Sequence, residues 1–145
     1  MAVISRVESR PLTPVNAILL AFPIALFSAA AITDIAYLRS ADIQWTNFSA
    51  WLITGALVFG GLVLAWALVD VLLGWSRAGR GRALVYALLL AGAWIVGLIN
   101  AFKHSQDAWS SVGTAGLVLS ILSAVLALAA GWLAYSRTGV REIGQ

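Results

Sequence analysis

Four stretches without a charged side chain, residues 11–33, 43–69, 83–102 and 108–136, govern what this chain can become. The shortest is 20 residues long. An α-helix rises about 1.5 Å per residue and the hydrocarbon layer of a bilayer is about 30 Å thick, so roughly 20 residues cross it. Backbone polar groups in lipid must be satisfied within their own segment, which selects helix for each stretch. The reading is therefore all-α, an integral membrane four-transmembrane-helix bundle forming one domain over residues 1–145. Its helices are expected near 14–37, 48–75, 82–102 and 111–135. Composition agrees: 61% of residues are hydrophobic and 10% charged, far below the roughly 25% charge of soluble domains. Ser28-Ala29-Ala30 has the small residues of a signal cleavage site behind Arg6 and Arg10. The apolar run continues to Ile32, so helix 1 is expected to be retained.

Orientation follows from the basic residues of short loops. Arg6, Arg10, Arg77, Arg80, Arg82, Arg137 and Arg141 fall on one side of the spans, and Arg39 and Lys103 on the other. The asymmetry predicts both ends and the middle loop in the cytoplasm (N-in/C-in), as a multi-pass protein of a bacterial inner (plasma) membrane. Interfacial aromatics predict the same depths: Tyr37, Trp45 and Trp109 at the outer boundary, and Trp75, Tyr86, Trp132 and Tyr135 at the inner one. The net charge of +3 is scattered between apolar runs, which argues for anionic lipid headgroups and against nucleic acid as the partner.

Lipid supplies little hydrophobic drive for helix association, so close contact depends on small residues. Helix 4 carries Gly113, Gly116, Ser120, Ser123, Ala124, Ala127, Gly131 and Ala134 along one face; helix 2 offers Gly55, Gly60, Gly61 and Ala65, and helix 3 Ala87, Ala91, Ala93 and Gly97. These read as packing seams. Pro23 is expected to kink helix 1 by freeing the Leu19 carbonyl.

The Thr13-Pro14 start, Phe22-Pro23-Ile24-Ala25-Leu26, and Asp34 a turn before the helix end resemble domain-of-unknown-function family 2231. Asp70 late in helix 2, Asn100 and Lys103 ending helix 3, and Arg137-Thr138-Gly139-Val140 after helix 4 are similar too. The resemblance implies a small bacterial membrane protein of four helices and no known activity. The chain departs from it at Ala21 and Thr138, where members of the family often carry histidine. A histidine-dependent role therefore does not transfer.

Ionisable groups inside a bilayer are costly and invite a functional reading. Asp34 sits about a turn inside the outer boundary, at the depth of Asn100, with Lys103 and His104 just beyond. Together the four make a candidate outer polar cluster, read either as a clasp or as a site for a cation, proton or small ligand. Asp70, Arg77 and Arg82 make a candidate inner polar group, in which Asp70 pairs with an arginine or hydrogen-bonds to Asn16. Chemistry is otherwise sparse. One histidine and no cysteine leave no bis-histidine haem, no thiolate metal site and no hydrolase triad, so no cofactor, metal or catalytic residue is expected. The leading expectation is a non-catalytic membrane subunit or anchor packing with itself, as a homo-oligomer, or with another membrane protein. The alternatives are a small transporter or channel using Asp34 or Asp70, and an accessory membrane subunit of a quinone-linked redox enzyme.

Overall fold

The computed structural model describes residues 12–73, 80–105 and 112–136, and all four spans are helical: α1 Pro14–Ser40, α2 Ile43–Leu72, α3 Arg80–His104 and α4 Thr114–Tyr135. Each is long and apolar enough to cross a membrane. Arg6, Arg10, Arg77, Arg137, Arg141, Trp75 and Trp109 lie outside the described residues, as do the expected helix limits at 75 and 111.

Local chemistry sets the boundaries. Thr13 caps α1, its hydroxyl accepting from the Asn16 N–H at 3.3 Å, and Pro14 takes the first helical position, where its missing N–H costs nothing. At the other end Ala41 adopts a left-handed conformation (φ 55°) and its N–H bonds the Tyr37 carbonyl. Asp42 then caps α2, its carboxylate accepting from Gln44 N–H at 3.0 Å. The α1–α2 connection is thus only Ala41 and Asp42, and α2 starts five residues before the expected 48. Residues 43–47 look interfacial in sequence; the Asp42 cap makes them the first turn of the helix. Likewise α3 runs through Lys103 to His104 rather than stopping near 102.

Specific bonds fix the arrangement. Thr33 on α1 meets Ser49 on α2 at 2.7 Å. Trp94 Nε1 on α3 donates to the Leu57 carbonyl of α2 at 3.0 Å. The Tyr135 hydroxyl near the end of α4 donates to Ala17 O near the start of α1 at 2.8 Å. Consecutive helices are antiparallel, and α1 packs on α2 and α4 while α3 packs on the same two. The bundle is a square in which α1 and α3 stand across the diagonal, pointing the same way. They are not neighbours.

Buried positions recur at alternating steps of three and four, the spacing of a coiled-coil seam. On α1 they are Asn16, Leu20, Pro23, Phe27, Ala30 and Asp34; on α2 Thr46, Ser49, Ile53, Ala56, Gly60, Val63 and Ala67. On α3 they include Tyr86, Leu90, Ala93, Gly97, Asn100 and His104, and on α4 Gly116, Ser120, Ser123, Ala127, Ala130 and Ala134. The filling changes along the seam. Toward the chain termini the core is Leu20, Val63, Ala67, Leu90, Ala130 and Ala134. A middle layer of Phe27, Ala30, Ile53, Ala56, Ala93 and Ala127 follows. There Gly97 admits the Phe27 ring so closely that a β-carbon would stand 2.6 Å from it. Beyond this layer, at the end bearing the Ala41-Asp42 turn, the seam is polar. Large apolar side chains face outward instead, with Trp51 at 72% and Trp132 at 81% exposure, as lipid permits.

Candidate functional site

Asp34 lies two heptads past Leu20 and one past Phe27 on the α1 seam, and it is fully buried. Its carboxylate is held from both sides. Oδ1 stands 3.0 Å from His104 Nε2, the last residue of α3, across the diagonal of the bundle. Oδ2 accepts from the Ser120 hydroxyl of α4 at 2.5 Å. Ser120 in turn accepts from Asn100 Nδ2 at 2.7 Å, and His104 Nδ1 lies 3.0 Å from the Asn100 backbone carbonyl. Asn100 Nδ2, Ser120 Oγ, the two Asp34 oxygens, the imidazole and Asn100 O therefore close a ring through three helices. Asp34, Asn100, Ser120 and the His104 side chain are all sealed from solvent.

Why these residues meet follows from register. His104 is four residues after Asn100, and the i, i+4 spacing stacks the two on one face of α3. Ser120 lies two heptads before Ala134 on the face that α4 turns inward. The fourth helix contributes beside the ring: Ser49 of α2, fully buried, bonds Thr33, the residue next to Asp34. Every helix thus brings a polar side chain to this end of the core, and nearly every polar atom there has a partner. The exception within the ring is Asn100 Oδ1, buried with no hydrogen-bond partner among the described residues.

Of the outer cluster read from sequence, Asp34, Asn100 and His104 come together, and Lys103 makes no ion pair with Asp34 among the described residues. Lys103 is half-buried one position off the seam. Ser120 has no counterpart in that reading, and His104 stands in it only just beyond the helix end. Ser120 looks like one more small residue of a packing face, and His104 looks like a loop residue at the rim. The signal for both is the three-four spacing, which carries the α3 seam from Gly97 through Asn100 to His104 and the α4 seam back from Ala127 to Ser120.

The inner group is arranged differently. Arg82 sends one guanidinium nitrogen to the Leu133 carbonyl and to the Ser136 hydroxyl, each at 2.7 Å, at the C-terminal end of α4. There it meets carbonyls that the helix leaves unpaired and the negative end of the helix dipole. Asp70 is half-buried near the end of α2, and Arg77 lies outside the described residues. Among the described residues no three His, Cys, Asp or Glu side chains gather to hold a metal ion. An open apolar groove lies on the outer face between α1 and α4, lined by Ile24, Leu128, Gly131, Trp132 and Tyr135, away from the ring.

A family model described as a predicted membrane protein, DUF2231, matches residues 12–138. No curated protein and no solved structure matches the chain.

Proposed function

The chain belongs to DUF2231, a family of predicted membrane proteins, and from that premise we propose that it is a non-catalytic membrane subunit or anchor whose polar ring is a clasp. The observation that carries this reading is closure. Asp34, the one buried acidic group among the described residues, has both oxygens occupied by side chains of other helices. A carboxylate held this way fixes helix register and offers substrate no open face. The surfaces left for interaction are the apolar helix faces, so the partner is another membrane protein or a second copy of the chain within the bilayer. The basic-residue asymmetry supports both termini in the cytoplasm of a bacterial inner membrane, with the ring at the periplasmic end. Reporter fusions at Gln145 and Gln44 are expected inside and outside respectively; an inward Gln44 overturns the orientation.

Transport through Asp34 has one observation in its favour, the buried Asn100 Oδ1, which has no partner among the described residues. Asp34→Asn separates the two readings. A clasp predicts lost thermal stability with unchanged assembly per folded molecule, measured by native mass spectrometry of protein taken from its own membrane. An ion or proton flux in liposomes that Asp34→Asn abolishes without loss of stability sinks the subunit reading.

A further inference from the structure

We propose that the ring is a binding site for one dissociable proton, shared by Asp34 and His104, and that the clasp is closed only while that proton is held. This rests on the clasp reading and adds what controls it. Donors and acceptors around the ring fix where hydrogens can sit. His104 Nδ1 faces the Asn100 backbone carbonyl, which only accepts, so Nδ1 carries a hydrogen whenever that bond exists. Ser120 is committed as well: it accepts from the Asn100 amide and must donate to Asp34 Oδ2. What is left is the line between Asp34 Oδ1 and His104 Nε2. With Nδ1 protonated and Oδ2 accepting, that line has room for one proton.

The proton has two places on the line. On nitrogen it makes an imidazolium and a carboxylate; on oxygen it makes a carboxylic acid and a neutral imidazole. Transfer between them moves the proton from Oδ1 to Nε2 and leaves the pair neutral as a whole. Neutrality is what a buried site in lipid requires. Removing the proton sets an oxygen lone pair against a nitrogen lone pair and leaves a net negative charge in the core. The other tautomer does not rescue it, since Nδ1 would then turn a lone pair on the Asn100 carbonyl. A second proton has no acceptor on the line, and placed on Oδ2 it meets the Ser120 hydroxyl hydrogen. The ring is complete in the singly protonated state alone.

Among the described residues, the other charged or titratable groups at this end are Tyr37 and Arg39 on α1, Asp42 at the cap of α2 and Lys103 on α3. None is bonded to the ring among the described residues, and α4 brings no titratable group to this end.

The test uses the fact that His104 is the sole histidine of the chain, so labelling with 15N-histidine reports on this site alone. In full-length protein in lipid nanodiscs, Nδ1 is expected to be protonated across the pH range in which the fold is most stable. The Nε2 resonance is expected to move on Asp34→Asn. The thermal midpoint of the wild type is expected to trace a dome between about pH 3 and pH 9, the range bracketing free carboxyl and imidazole titration. It should fall by about 4 °C or more on each side, and Asp34→Asn should flatten the dome. A bare Nδ1 in the folded protein, or a wild-type midpoint that does not change with pH, overturns the proposal. Should Asp34→Asn fail to fold, Ser120→Ala takes its place, since it leaves the shared proton but frees Oδ2, and it is expected to flatten the acidic side of the dome first. The two readings fail differently. A bare Nδ1 with Asp34→Asn equally destabilised at every pH removes the proton site and leaves the clasp; Asp34→Asn as stable as wild type at every pH removes the clasp.

Discussion

The two ends of the bundle use the same seam in opposite ways. At the end where α1 starts and α4 finishes, positions spaced by three and four are filled with Leu20, Val63, Leu90, Ala130 and Ala134, and the helices are held by contact. At the other end the same positions hold Asp34, Ser49, Asn100, His104 and Ser120, and the helices are held by directed bonds. Packing between small residues tolerates sliding. A ring of hydrogen bonds has one register, because a shift of one helix by a residue separates several bonds at once. Lipid removes the usual hydrophobic drive, which makes this division of labour informative: the apolar end supplies area, and the polar end supplies alignment.

The comparison breaks most directly at Asp34. Asp34→Ala leaves the imidazole and the Ser120 hydroxyl buried without their acceptor, a loss expected to cost about 3–5 kcal/mol. Leu20→Ala, two heptads back on the same helix, forfeits contacts and opens a void without stranding a polar group, so its cost is expected to be the smaller. Equal losses in reversible unfolding from mixed micelles would mean that the ring is no more than another layer of packing.

A second cut sharpens the role of close contact. Gly97 and Gly131 look alike in sequence, yet a β-carbon at Gly97 stands 2.6 and 2.7 Å from the buried Phe27 ring. At Gly131 it stands 2.5 Å from the Cδ1 end of Ile24, which swings away by a rotamer change. Gly97→Ala is expected to cost about 1–3 kcal/mol as an overpacked core position, and Gly131→Ala distinctly less. A reversed order would place the tight seam between α1 and α4 rather than across the Phe27 layer.

The smallest effect is expected at the opposite end from the ring. Arg82→Ala removes the two bonds to Leu133 O and Ser136 Oγ, but the arginine is exposed and the carbonyl regains water or headgroup partners. The loss is expected below about 1 kcal/mol and confined to local hydrogen exchange at the end of α4. A global loss of stability would show that this end also depends on directed bonds.

The four helices were legible because uncharged runs of 20 residues or more have few other fates. The depth match between Asp34 and Asn100 was legible too, from counting turns to the nearest interfacial residues. Which basic side chain meets Asp34 was not. A lysine ending an apolar run reads as the helix boundary, yet α3 continues one residue further, and that residue puts His104 four after Asn100 on the inner face. Which helices adjoin was not legible either: the bond spans the diagonal between α1 and α3, which only side chains in the core can bridge. Ser120 was hidden by its size: a serine in a row of alanines and glycines has the volume of a spacer, and its role as donor depends on what stands opposite.

The tight Ala41-Asp42 turn carries a consequence for the order in which this molecule is made. With two residues between them, α1 and α2 enter the membrane as a hairpin, and Asp34 enters with it. His104 lies 70 residues later in the chain and Ser120 lies 86 later, so at about 5–20 residues per second the carboxyl stands in lipid for on the order of 5–15 s before its partners exist. The ring therefore forms only once α4 has joined the bundle. A nascent chain stalled after α2 would hold an acidic hairpin with nothing to answer it, and release of α4 from the ribosome is the moment at which the bundle first acquires its register.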